Sequence, residues 1–110
     1  MKQPVGPQPD KVLMTIKEVA RSAVPDARVL LFGSHARGDA HPESDYDVLI
    51  VTGQPLEMKA TFALRTRVRK QLLERGIRSD ILIQSEKELQ AKKQLPGHIV
   101  RCALRDGVPL

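Results

Sequence analysis

The spacing of apolar and polar residues along the chain predicts alternating helices and strands. Val12, Ile16 and Val19 recur every three to four residues, which is the period of a helix with one buried face. Asp10 precedes this segment and is the expected N-cap, because its side chain can accept a hydrogen bond from the first free backbone N–H groups. Pro25 is expected to end the helix, since proline cannot continue one.

Three short apolar runs predict β-strands, and the segments between them predict helices. The strands are expected over residues 28–32, 46–51 and 78–84. A short helical turn over 34–37 follows the first strand, and a long basic helix over 57–75 separates the second from the third. Strands that alternate with helices predict an α/β (α+β) fold in which helices cover a small sheet.

The C-terminal part of the chain predicts two further helices. Ser85 and Glu88 match the S-x-x-E pattern of a capping box, which marks the first turn of a helix. Pro96 and Gly97 are expected to interrupt that helix. A last amphipathic helix is expected to follow, with Gly107 at its end.

Composition indicates one folded domain. The chain has 110 residues, of which 41% are hydrophobic and 28% charged, as is usual for a single globular core. Residues 1–9 contain prolines and a glycine, so we expect a flexible tail there and the domain over residues 10–110. A single cysteine cannot form an internal disulfide, which fits a reducing cytoplasm, and no apolar run approaches membrane-spanning length.

The charge balance narrows the class of partner. The formal net charge is +5, which favours nucleotides, nucleic acid or an acidic protein surface. Proteins that bind single-stranded nucleic acid usually add stacking aromatic side chains, and only 3% of this chain is aromatic. A small phosphate-bearing ligand or an acidic protein is therefore favoured, although a basic surface in contact with solvent alone would have the same charge.

Two carboxylates stand at the start of the second predicted strand. Asp45 and Asp47 share one face, since side chains alternate along a strand. At about 4 Å and an effective dielectric of about 20 their repulsion is roughly 4 kcal/mol. To relieve it, either one carboxylate takes up a proton or a cation binds between the two. Oxygen ligands favour Mg²⁺ or Mn²⁺. If the second and third strands are neighbours, Asp80 brings a third carboxylate, as a two-metal phosphoryl-transfer site requires. The alternative is that Asp45 and Asp47 are a pair of solvated loop acids.

A glycine-serine turn follows the first predicted strand. Gly33 allows close approach to a phosphate, and the Ser34 hydroxyl and nearby N–H groups can bind phosphate oxygens. Arg37 is a candidate for a bidentate phosphate contact. The alternative for this arginine is a surface ion pair with Asp39 or Glu43.

Together the two motifs resemble the minimal nucleotidyltransferases of the DNA polymerase β-like superfamily. In FGSHARGDAHPESDYDVLIV the Gly-Ser pair is followed, ten residues later, by Asp-x-Asp, and SDILI contains the later aspartate. The resemblance covers residues 12–107, and His35 departs from it where relatives often have arginine. It implies a small mixed β-sheet flanked by helices, and transfer of a nucleoside monophosphate from an NTP with release of pyrophosphate.

The resemblance also implies roles for individual residues. Two Mg²⁺ ions, or Mn²⁺, would be bound by three aspartates, with the last also helping to activate the acceptor hydroxyl: Asp45, Asp47 and Asp80. The β and γ phosphates of ATP would be held by the turn, with the arginine as a weaker candidate: Gly33, Ser34 and Arg37.

The resemblance implies a protein acceptor as well. Minimal members often act as antitoxins to a separate HEPN-domain toxin, where they resemble protein adenylyltransferases that place AMP on a toxin tyrosine. The basic helix would then face an acidic partner or the acceptor. Two alternatives stay open: a non-catalytic antitoxin that neutralises its HEPN partner by binding and occlusion, and an enzyme acting on RNA ends or a small molecule. The last is disfavoured by the scarcity of aromatics and of acceptor-binding sequence.

Overall fold

The computed structural model describes residues 9–41, 44–95 and 99–110, with side chains from residue 11 onward. The predicted tail up to residue 8 and the predicted interruption at Pro96 and Gly97 lie outside the described residues. The elements in chain order are α1 (Pro9–Ala23), β1 (Arg28–Phe32), α2 (Gly33–Arg37), β2 (Tyr46–Thr52), α3 (Met58–Glu74), β3 (Ser79–Ser85), α4 (Glu86–Lys92), α5 (Ile99–Asp106) and β4 (Val108–Pro109).

The strands form one mixed sheet in the order β3-β2-β1-β4. Strand β2 is antiparallel to β1 and parallel to β3, so the predicted fold of a small mixed sheet flanked by helices is confirmed. Strand β4 pairs with Leu30 and Leu31 of β1. The sequence pattern does not predict β4, because two residues that include a proline show no alternation.

Most element boundaries follow the sequence, and one differs. Helix α1 begins at Pro9, so Asp10 lies inside the helix and is not its N-cap as predicted. Proline is favourable in the first helical turn, where its missing N–H would have no partner. The predicted capping box is present, since Ser85 and Glu88 each bind the other's backbone N–H at the start of α4.

The sheet is covered on both faces, which fixes where the site can lie. Val48 and Ile50 point to the face that α1 and α3 cover, whereas Leu49 and Val51 point to the face near α4 and α5. Because side chains alternate, Asp47 shares the second face. None of the helices in the described ranges combines the length and the apolar character needed to cross a membrane.

Helix α3 connects two parallel strands and therefore sets the position of their first residues. It leads the chain from the end of β2 back to the start of β3, as parallel neighbours require. The first residues of both strands consequently lie at the same edge of the sheet. The predicted aspartates of the second and third strands are found at this edge.

Candidate active site

Asp47 and Asp80 are register partners on adjacent parallel strands. Neighbouring strands are about 4.8 Å apart, so the two side chains leave the sheet side by side on the same face. Burial raises the pKa of the Asp47 carboxyl, and the negative charges of Asp80 and then Asp45 raise it further. Electrostatic interactions with His35 and Arg37 oppose this rise in the pKa of Asp47. The site therefore has the carboxylate repulsion that the sequence predicts.

Gly33 lies directly against the carboxylate of Asp47. Its φ of +73° is in the left-handed region, and a Cβ added there would collide with Asp47 Oδ2. The contact follows from the sheet, because Phe32, the residue before the glycine, is the register partner of Asp47. The predicted phosphate turn thus touches one of the three predicted metal ligands, and only glycine fits there.

Asp45 reaches the same edge and forms an ion pair with an arginine. Its Oδ1 lies 3.5 Å from Arg78 Nε, and just over half of its side chain is exposed. The pair follows from strand register, since the Tyr46 N–H donates to the Arg78 carbonyl next to it. Among the described residues, no group of three or more His, Cys, Asp or Glu side chains is arranged to hold a metal ion.

Arg37 lies at the end of α2 and has two acidic neighbours. Its Nε is 3.4 Å from Asp39 Oδ2 and its Nη1 is 3.5 Å from Asp106 Oδ2. The ion pair with Asp39 is the alternative expected from the sequence, and Glu43 lies outside the described residues. Hydrogen bonding from Arg105 lowers the pKa of the Asp106 carboxyl, and Arg37 adds to this effect. A phosphate would have to compete with these carboxylates for the arginine.

His35 joins the Gly-Ser turn to the segment that carries the aspartates. Its ring stacks on Tyr46, with centroids 3.7 Å apart and planes 11° from parallel. Its Nε2 lies 2.9 Å from the Ser44 carbonyl oxygen, to which it donates in the Nε2–H tautomer. The sequence flags this histidine only as a departure from relatives. The structure gives it two contacts that hold the chain just before Asp47.

Comparisons with known proteins agree with this geometry. A family model described as a nucleotidyltransferase domain matches residues 13–102. No curated protein matches the chain. A solved structure of a minimal nucleotidyltransferase is 22% identical, with a TM-score of 0.62, over 97% of this chain and 100% of that one.

Two toxin-antitoxin complexes are also similar in structure. One, solved with AMP-PNP, has a TM-score of 0.58 at 21% identity over 87% of this chain and 69% of that one. The other is a tri-AMPylated Shewanella oneidensis HEPN toxin in complex with an MNT antitoxin, with a TM-score of 0.57 at 16% identity over 93% and 71%. At these identities the likeness establishes the fold.

Proposed function

Because the chain belongs to the nucleotidyltransferase domain family, we propose that it transfers a nucleoside monophosphate, AMP from ATP, to a hydroxyl group on a protein. The observation that carries the proposal is the meeting of Gly33, Asp47 and Asp80 at one edge of the sheet. A close-approach glycine beside paired carboxylates is the combination that phosphate transfer requires. The proposed transferase domain spans residues 10–110.

The donor set at this edge fits a divalent cation such as Mg²⁺ or Mn²⁺. Asp47 and Asp80 offer only oxygen ligands, and the pKa of Asp47 is raised first by burial and then by the negative charges of Asp80 and Asp45. Asp45 would complete the set by exchanging Arg78 for the metal. A bound ion, or two, would neutralise phosphate charge and make the acceptor hydroxyl more acidic.

The chain's own residues would bind and orient the substrates. Gly33 and Ser34 are proposed to hold the β and γ phosphates, with Arg37 as an additional contact once it leaves its carboxylate partners. The acceptor oxygen forms a bond to the α-phosphorus while the bond to the β-phosphate bridging oxygen breaks. Pyrophosphate leaves with that electron pair, and the acceptor proton passes to solvent near Asp80.

The proposed acceptor is a tyrosine of a HEPN-domain toxin, which would make this chain an antitoxin in a reducing cytoplasm. Support comes from the similar structures, which include toxin-antitoxin complexes, one of them with an AMPylated HEPN toxin. The single cysteine and the scarcity of aromatic residues are consistent with this setting and with a protein acceptor.

A second candidate is a non-catalytic antitoxin that occludes its HEPN partner. The ion pair between Asp45 and Arg78 favours it, because Asp45 then pairs with an arginine side chain and not with a metal ion. The two candidates differ in whether the aspartates are needed. The enzyme requires the three aspartates, whereas occlusion requires only the surface that contacts the HEPN partner.

Labelled ATP tests the proposed reaction directly. With Mg²⁺ and the HEPN partner, ATP labelled at the α-phosphate should label the partner, and ATP labelled at the γ-phosphate should not. Asp47→Asn should abolish labelling, while Asp26→Asn, an exposed acid just before β1, serves as a charge-matched control. A partner that binds but acquires no label from the wild-type protein would contradict the proposal.

A further inference from the structure

Helix α3 presents an exposed row of five side chains, termed here the α3 seam. They follow one another at spacings of four, three, four and four residues: Met58, Phe62, Arg65, Arg69 and Leu73. Its three apolar members are 88%, 61% and 58% exposed in chain order. Spacings of three and four residues are those by which one helix packs against another. The seam thus has the pattern of a buried helix face but is open to solvent.

The protein's own fold leaves the seam uncovered. Val68 and Leu72 of α3 are fully buried in the core, and Gln71 and Glu74 line a pocket shared with α1. At about 100° per residue the seam lies on the side of α3 away from α1. Helix α3 packs against β3, the edge strand of the sheet, which among the described residues pairs only with β2. Strand β3 carries Asp80.

The charge of α3 points to an acidic occupant. The helix contains five Lys or Arg side chains and one Glu, a formal +4 out of +5 for the whole chain. Within the described ranges, none of these five cations forms an ion pair with another side chain. A second copy of this chain cannot be the occupant, because two such faces would repel each other.

The residue types favour a protein over a nucleic acid. Aromatic, methionine and arginine side chains are enriched in the centres of protein interfaces. The Arg65 guanidinium lies 5.6 Å from the centre of the Phe62 ring, so one face of the only ring in the seam is already occupied. Binding of single-stranded nucleic acid relies on free ring faces for base stacking.

We propose that the α3 seam is the docking surface for a protein partner that presents an acidic α-helix. The partner would lie along α3 and beside β3, the edge strand whose first residues form part of the candidate active site on the opposite face of the sheet. The proposal rests on the proposed function for the identity of the partner, the HEPN-domain acceptor, and not for the surface itself.

Matched variants on the same helix test the seam. The dissociation constant for the HEPN partner is measured by calorimetry with Arg69→Glu, on the seam, and Arg67→Glu, exposed on another side of α3. Both variants change the net charge by the same amount. We expect at least a tenfold loss of affinity, about 1.4 kcal/mol, for the seam variant and less than a threefold loss for its control.

An apolar pair completes the design. Phe62→Ala removes a seam ring, and Met14→Ala removes a comparably exposed apolar side chain on α1. The first should weaken binding at least tenfold and the second less than twofold. Thermal unfolding checks that each variant is folded. We expect all of them to fold, because substitutions at exposed positions usually change stability little.

Several results would overturn the proposal. Equal losses for the two glutamate variants would mean that overall charge, and not the seam, drives binding. Full affinity of both seam variants, or no binding by the wild-type protein, would exclude the surface. Seam-dependent binding of a single-stranded RNA oligonucleotide in place of the partner would identify a nucleic-acid site. Binding through the seam without nucleotide transfer would refute the proposed function alone, and transfer that both seam variants retain in full would refute the seam alone.

Discussion

Replacing Gly33 with alanine tests the contact between the turn and the carboxylate. The glycine has a φ of +73°, and the new Cβ would collide with Asp47 Oδ2. Two costs follow, one from the left-handed backbone and one from displacement of the carboxylate. Gly76→Ala is a matched control, because its φ of +77° is nearly the same and a Cβ there meets nothing within 4 Å.

The structure separates the sizes of these two costs. A left-handed backbone costs a residue other than glycine about 1–2 kcal/mol, which both variants should lose. Moving the Asp47 side chain off its preferred rotamer adds about 1 kcal/mol in Gly33→Ala only. For a domain of this length 1 kcal/mol shifts the melting temperature by about 4 °C, so the two variants should differ by roughly that amount.

Transfer activity should separate the variants much further. A misplacement of about 1 Å at a reacting centre costs roughly 100-fold in rate, so Gly33→Ala should lose about two orders of magnitude. Gly76→Ala should stay within about threefold of the wild-type protein once its lower stability is taken into account. The assay is transfer of α-labelled AMP to the HEPN partner, alongside thermal unfolding. Equal melting temperatures and equal activities for the two variants would refute the account of this contact.

Three further predictions concern stability. Burial, and then the charges of Asp80 and Asp45, raise the pKa of Asp47 in the folded state above its ordinary value of 3.8. At pH values above 3.8 the charged form of Asp47 therefore destabilises the fold. Asp47→Asn should therefore have a higher melting temperature than wild type at pH 7.5 without divalent ions. The gain in unfolding free energy should be on the order of 1 kcal/mol, as for two charges about 5 Å apart in a water-like dielectric, and should fade as the pH falls towards 4. A lower melting temperature of the variant at pH 7.5 would contradict this. His35→Ala should lose about 1–2 kcal/mol in chemical denaturation, because the ring stack and the hydrogen bond to Ser44 both disappear, while His35→Phe should lose about half as much by keeping the stack; equal losses would exclude the stack. Ser85→Ala should cost about 1–2 kcal/mol by thermal unfolding through loss of the capping box, against about 0.5 kcal/mol or less for exposed Ser22→Ala; equal small effects would mean that the cap contributes nothing.

The sequence predicts the elements whose pattern is local. Apolar runs and helical spacing locate β1, β2, β3 and α3 to within a residue or two, because each is long enough to repeat its period. Strand β4 escapes prediction, since its two residues are ordered only by pairing with β1. The N-terminal boundary of α1 also differs, because a proline can take the first helical turn and displace the expected cap.

For the candidate site, the sequence proposes residues, and the structure shows how they are arranged. The Gly-Ser and Asp-x-Asp motifs identify Gly33 and Asp47, and only the antiparallel register of β1 and β2 brings them into contact. The ion pair of Asp45 with Arg78 depends on the parallel register of β2 and β3, which one strand alone does not specify. A basic residue directly before the strand that carries the third aspartate, here Arg78, is the sequence signal for such an ion pair.

Mass measurement of the HEPN partner tests the central claim most directly. The partner is co-expressed either with the wild-type chain or with the double variant Asp45→Ala, Asp47→Ala, and is then isolated and weighed intact. We predict that one or more AMP units are added to a tyrosine with the wild-type chain and none with the double variant. A partner that binds the wild-type chain yet gains no mass, or that gains the same mass with both chains, would contradict the claim.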